Sequence, residues 1–507
     1  MKRLGIACAL GIGLLAATSA AAAPTFGVAE DLPKYSDDGG ASLYPKIRAL
    51  GMATDRFTVQ WDPADPTTIQ ERGFLDRSLP VAARAGVRIV FDVYSHDRSA
   101  FAADPAARSI LFAGYLQTLA RRYPQVRDYI IGNEPNEAYF WQPQFGPAGE
   151  QASAVALLPV AAAAYDALKT VDPGIRVILA GPSAEGNDHT STSPVRFLRA
   201  LGDAYRASGR AAPIMDALGF HIYPRTNTDP PATPYAWPNL GAADLARLKQ
   251  AVWDAFRGTA QPTFPEGPAL PGGGSLGLVV DEFGWQAAID PSLASQYVGD
   301  ENVPPVTEDD QARAYSDLIG MLACDNAVTD AMVFHLVDEV HLGRFQSGLL
   351  RIDRSERPSY AAVRGAIAAA SSCAAPAIWS HASGVVGASA VFGERDQPAS
   401  RRVYGISLAA LEDADARAGI FRLQGPKARL GVAEAERSLA SLGSALEPVI
   451  ASEKLVKAGY KPRVEFPGAL QPGYYVFAAR LAAAMNPART QTFVSRVFRV
   501  GKRATRQ

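Results

Sequence analysis

The chain has 507 residues, more than one ordinary domain, and 48% hydrophobic with 20% charged residues describes a soluble globular protein with ample core. Its 50 basic and 51 acidic residues leave a net charge of −1. That gives no electrostatic footprint for nucleic acid or an anionic membrane, so neither partner is expected.

Residues 1–23 have the pattern of an export signal: Lys2 and Arg3, an apolar stretch from Leu4 to Ala17, then small residues at Ala20–Ala23. The apolar run is short for a membrane span of about 20 residues, and no later segment looks transmembrane. A secreted, periplasmic or envelope protein is therefore expected, acting as a monomer. Of three cysteines, Cys8 leaves with the signal. Cys324 and Cys373 each follow an expected helix, and in an exported protein they invite a disulfide; the alternative is two buried free thiols.

From residue 25 to 370, apolar strand-like runs alternate with amphipathic helical ones. The strands are expected at Thr25–Asp31, Thr54–Trp61, Val87–Tyr94, Tyr129–Asn133, Arg176–Ala180, Ala217–Tyr223, Leu278–Glu282 and Ala331–Leu336. Helices are expected at Phe74–Ala85, Ser109–Arg122, Ala154–Thr170, Val195–Ser208, Ala242–Arg257, Asp309–Ala323 and Ser359–Ala370. Eight such alternations point to a closed (β/α)8 barrel, residues 24–375, and no glycine-rich phosphate loop follows the first strand to favour an open sheet. Beyond it, Val403–Leu408, Gly419–Leu423, Tyr474–Leu481 and Thr492–Val500 alternate in part as half-buried strands do, the last two flanking Asn486-Pro487. A small β-sandwich is expected over 376–500, bracing the barrel, with a basic tail over 501–507.

Two polar endings on buried strands carry the chemistry. Ile130-Ile131-Gly132-Asn133-Glu134-Pro135-Asn136-Glu137 closes the fourth strand, and Val280-Asp281-Glu282-Phe283 the seventh. A carboxyl group buried at a strand end is costly unless the site uses it. In this barrel the active site is built at the C-terminal ends of the strands, so Glu134 and Glu282 would share one cleft. Two carboxyl groups flanking a bond are what glycoside hydrolysis needs: one protonates the leaving oxygen, the other attacks or activates water.

On these motifs the chain resembles the clan A glycoside hydrolases, retaining (β/α)8 enzymes, nearest in flavour to families 5 and 39. The resemblance covers residues 25 to 370. It implies Asn133-Glu134 as the strand-4 pair, with Glu134 as acid/base, and Glu282 as strand-7 nucleophile. It also implies Arg56 beside the nucleophile and His221 and Tyr223 after strand 6. Physically, Asn133 would bond a sugar 2-hydroxyl, Arg56 would favour ionised Glu282, and Tyr223 would donate to Glu282. Trp141 and Trp285 offer flat faces for sugar stacking. The clan's strand-8 Trp is missing from Val333-Phe334-His335-Leu336, and His335 or Trp285 would stand in for it.

Bland alternatives accompany each residue. Glu282 could be a salt-bridged rim carboxylate, and Arg56 a structural ion pair with Asp55 or Asp92. His221 and Tyr223 could be a bonded core pair, both Trp residues loop packing, and His96 a solvated loop histidine. The cluster His335, Asp338, Glu339, His341 lacks the His-Glu-x-x-His spacing, so substrate contact or ion pairing is expected of it and no metal or cofactor. The expectation is an exported retaining glycosidase acting on an oligo- or polysaccharide. A transglycosylase or a non-catalytic carbohydrate-binding envelope protein remains the alternative.

Overall fold

The structure, a computed structural model, describes residues 24–271, 274–370, 373, 377–396, 402–423, 448–466, 470–495 and 498–500. The expected export signal and basic tail lie outside them.

Eight parallel strands close in sequence order into a barrel: β1 (Thr25–Ala29), β2 (Thr54–Gln60), β3 (Arg88–Tyr94), β4 (Asp128–Ile131), β5 (Arg176–Leu179), β6 (Ala217–Ile222), β7 (Gly277–Phe283) and β8 (Val328–Val333). β8 closes on β1, with Thr25 opposite Asp330 and Val28 opposite Val333. It begins and ends three residues earlier than the apolar run suggested, so Phe334, His335 and Leu336 leave the strand; the first two line its mouth and Leu336 is buried in the core.

The helices outside the barrel are α1 (Leu32–Tyr35), α2 (Tyr44–Ala49), α3 (Arg72–Ala85), α4 (Pro105–Arg122), α5 (Ala152–Val171), α6 (Pro194–Ser208), α7 (Leu245–Phe256), α8 (Glu308–Ala323) and α9 (Pro358–Ala369). α4 starts four residues before its apolar period, because Asp104 accepts from Ala107 N at 2.9 Å and Pro105 fits the first turn. Thr307 caps α8 in the same way, ahead of the acidic run Glu308-Asp309-Asp310 that suits a helix N-terminus. Among the described residues α5 is long and apolar enough to cross a membrane, by length and composition. Here it is a barrel helix, with Leu157, Leu158, Ala161, Ala164 and Leu168 buried against its neighbours. A disulfide joins Cys324, at the end of α8, to Cys373 beyond α9, with Cα atoms 5.5 Å apart.

Strand alternation divides each barrel strand into an outer face on the helices and an inner face in layers. The middle inner layer is apolar: Val90, Ile130, Ile178, Val279 and Met332 are sealed from solvent. Below it, at the strands' N-terminal ends, Arg88 and Arg176 each bridge Asp128 and Asp330. Above it lies a second charged layer that forms the site.

The C-terminal sheets are β9 (Ser389–Asp396), β10 (Arg402–Ala409), β11 (Ala414–Leu423), β12 (Pro448–Val456), β13 (Arg463–Phe466), β14 (Gly473–Ala483), β15 (Asn486–Val494) and β16 (Phe498–Val500). One sheet runs β13-β10-β9, the other β12-β11-β14-β15 with β16 on β14. Ile406, Leu408 and Phe466 of the first pack with Ile420, Phe477 and Leu481 of the second, so the sheets form a sandwich. The sequence expectation missed β9, β12 and β13, and its single strand Thr492–Val500 is in fact the end of β15 and the separate β16. It also placed a turn at Asn486-Pro487, where β15 begins; the turn is at Ala484-Met485. Arg489 of β15 bonds Asp254 of α7 (Nη2 to Oδ2, 2.9 Å) and Glu412 of the β10–β11 loop (Nη2 to Oε2, 2.6 Å), tying sandwich to barrel.

Candidate active site

Glu134 and Glu282 meet in a cleft of 1190 Å³ at the C-terminal ends of the strands. The chain leaves β4 through Gly132 at φ +90° and Glu134 at φ +34°. A non-glycine residue in that region costs about 1–3 kcal/mol, and such strain gathers at functional sites. Asn136 holds the turn: it is fully buried, accepts from Ser183 N at 2.7 Å and donates to Thr192 O at 2.9 Å. The other glutamate of this segment, Glu137, accepts from Ser183 Oγ instead, and burial pushes it up to about 7.

Glu282 is held by three groups. Arg56 Nη2 bonds its Oε1, Tyr223 Oη donates to Oε2 at 2.6 Å, and His221 Nδ1 stands 3.4 Å from Oε2. Burial opposes its charge, but His221, Arg56 and the Tyr223 bond outweigh that and hold its carboxyl below the ordinary range. It is therefore ionised. Glu134 Oε1 is 2.8 Å from the same Nδ1. Glu134 Oε1 and Glu282 Oε2 therefore reach the same ring nitrogen.

A bulge makes the site's floor. Gly219 on β6 pairs with Val279, and His221 pairs with Glu282, so Val280 and Asp281 together oppose Phe220. β7 therefore turns both Asp281 and Glu282 inward, where simple alternation would send them to opposite faces. Asp281 Oδ2 lies 3.3 Å from His221 Nε2 and 3.6 Å from Arg56 Nη1. Arg56 Nη1 also faces Asp92 Oδ2 at 3.1 Å. Burial, with Asp281 and Glu282 adding to it against the pull of Arg56, pushes Asp92 up to about 8. Burial alone would neutralise His221. Glu282 and Asp281 with the bonds to Asp281 and Glu134 reverse this and raise it well above the ordinary imidazole range.

The residues singled out from the sequence sort clearly. Arg56, Asn133, Glu134, Tyr223, Glu282 and His335 line the cleft, and so does His96, whose Nε2 is 2.9 Å from Gln60 Nε2. His221 lies just beneath, 1% exposed. Arg56 both serves Glu282 and pairs with Asp92, whereas Asp55 points away from it. The two tryptophans do not offer sugar platforms. Trp285 is 2% exposed, its Nε1 donates to Asp229 O at 3.0 Å, and its ring abuts Tyr315. Trp141 is stacked flat on Phe101, centroids 5.0 Å apart. Each indole pins a long loop, which is how a large apolar ring without a cleft partner is best buried.

Sequence inspection missed Phe334 and Phe345 (5.0 Å apart), which with Tyr223 form the aromatic wall where the strand-8 Trp was sought. The signal was present in Phe334 itself, one residue before His335. The acidic cluster after β8 disperses. Asp338 pairs with Arg357 and accepts from Tyr297 Oη at 2.8 Å, while Glu339 accepts from Phe345 N at 3.0 Å. Among the described residues no three His, Cys, Asp or Glu side chains converge as metal ligands would.

No family model matches this chain, and no curated protein matches it. Solved structures do. It is similar to a family 39 glycoside hydrolase from the gut symbiont Bacteroides cellulosilyticus WH2, at 15% identity over 80% of this chain and 78% of that one, TM-score 0.48. It is similar to a monomeric beta-xylosidase from Caulobacter crescentus CB15, at 17% identity over 88% and 95%, TM-score 0.42. A third is GH5_18 from Streptomyces cattleya in complex with GlcNAc, at 18% identity over 70% and 83%, TM-score 0.48.

Proposed function

We propose that the chain is a retaining glycoside hydrolase that cleaves an oligo- or polysaccharide by double displacement, without a cofactor. One observation carries this: two glutamates, one just beyond β4 and one on β7, line one open cleft and reach the same imidazole nitrogen. Ionised Glu282, steadied by Arg56 and Tyr223, is the nucleophile. Glu134, at the cleft surface, gives its proton to the departing oxygen and later takes one from water. Asn133 beside it faces the sugar's 2-hydroxyl, and the Phe334–Phe345–Tyr223 wall offers the apolar surface.

A 2-fluoro glycoside slows the second step and leaves the enzyme esterified. Peptide mass spectrometry is expected to find the sugar on Glu282; a label on any other residue removes this mechanism. The sequence of residues 1–23 supports export. The mature protein recovered outside the cytoplasm should start near Pro24, and retention of the full N-terminus in the cytoplasm would refute it.

A further inference from the structure

The floor of the site holds a carboxylate that double displacement does not use. Asp281 is fully buried and, two residues on from inward-facing Val279, lies under His221. Its Oδ1 accepts from Phe220 N at 2.9 Å, and its Oδ2 faces His221 Nε2 at 3.3 Å and Arg56 Nη1 at 3.6 Å. β6 leaves room for it with Gly219, where a Cβ would come 3.0 Å from Oδ1. Fixed on these sides, Asp281 offers an anion to one ring nitrogen while the other ring nitrogen faces Glu134 and Glu282.

We propose that Asp281 is a positioning residue that keeps His221 an imidazolium, so that Nδ1–H serves the two glutamates in turn; this rests on the glycosidase reading above. The titratable groups facing the ring are Asp281 and Glu282 from β7, Glu134 beyond β4 and Asp92 from β3, with Arg56 of β2 behind Asp281 and Tyr223 two residues on. Their balance holds His221 charged despite burial. In the first step the Glu282 electron pair forms the new bond to the anomeric carbon, and the Glu134 proton leaves with the departing oxygen. Glu282 has then lost its charge, and the imidazolium faces the new Glu134 carboxylate alone. In the second step water bonds to the carbon, its proton passes to Glu134, and Glu282 recovers its electron pair. The fixed cation thus favours whichever glutamate is anionic at that stage.

Selective 15N-histidine labelling reads the ring without turnover, with the signal assigned by its loss in His221→Gln. Both nitrogens of His221 are expected to be protonated at neutral pH in the wild-type protein. A neutral ring overturns the proposal whether or not the chain cleaves glycosides, and even if Asp281 variants fail to fold. Asp281→Asn is expected to move the basic limb of kcat/KM to higher pH. It should also lower kcat about tenfold on an aryl glycoside whose leaving group needs no proton, where the second step limits. Equal losses at every pH with unmoved limbs would mark a merely structural Asp281 and overturn the proposal. A doubly protonated His221 in a protein without glycosidase activity would instead overturn the catalytic reading, so the two failures are told apart.

Discussion

The two ends of the barrel use the same residue types to opposite purposes. At the lower face Arg88, Arg176, Asp128 and Asp330 alternate in sign and close on one another. Asp330 is accordingly held below the ordinary carboxylate range, by Arg176 and Arg88 against burial. At the upper face Arg56 and His221 are outnumbered by Asp92, Asp281, Glu282 and Glu134, and the groups are driven apart. Asp92 is raised while Asp281 and Glu282 are lowered. A closed ring of charge serves stability; an unbalanced one, open to a cleft, sorts protons. An apolar layer one residue thick separates them.

That contrast can be broken by experiment. The largest effect is expected from Glu282→Gln, about 10⁴-fold or more in kcat, with the melting temperature moving by less than about 4 °C. Glu134→Ala should cost about 10²–10⁴-fold on substrates with poor leaving groups and far less on activated aryl glycosides. Below the apolar layer the currency changes. Asp330→Ala should destabilise by up to about 3 kcal/mol in denaturant titration, a figure discounted because Arg88 is partly exposed, while the folded fraction keeps its kcat. A loss of rate as deep as that of Glu134→Ala would erase the distinction between the faces. In the wild type the lowered Asp330 adds stability at neutral pH, and that part is lost as pH falls through its folded value.

The smallest change in activity is expected from Asp92→Asn, since that carboxyl is already mostly protonated at neutral pH. Its raised value means that stability falls as pH rises from 3.8 towards about 8, because the unfolded chain releases the proton sooner. The Asn variant should lose this decline in thermal melts taken across the range. Unchanged pH dependence would show that Asp92 is ionised and belongs with the lower face in character.

Much of this was legible beforehand. Apolar runs of strand length, all but the first followed by an expected helical period, revealed the barrel, and the strand count placed Glu134 and Glu282 together; α1 and α2 after β1 were not expected. The floor was not legible, because alternation sends Asp281 and Glu282 to opposite faces and only the bulge puts both inward. Nor was the lower ring, although each member stands two residues before an inward apolar residue: Arg88 before Val90, Asp128 before Ile130, Arg176 before Ile178, Asp330 before Met332. Trp141 and Trp285 misled because an indole near a strand end serves equally as ligand platform or loop anchor, and only packing decides. In the sandwich, β9 and β12 escaped notice because Glu394-Arg395-Asp396 and Glu453-Lys454 interrupt the alternation that marks a half-buried strand.

Arg489 has a consequence for how such a chain can change over generations. Its guanidinium, 3% exposed, is shared by a carboxylate of the barrel and one of the sandwich loop. Losing Arg489 would strand two carboxylates, whereas losing either carboxylate leaves the guanidinium its other partner. Arg489 is thus the member on which both Asp254 and Glu412 depend. A sandwich transplanted onto another barrel arrives without Asp254, the barrel half of its lock.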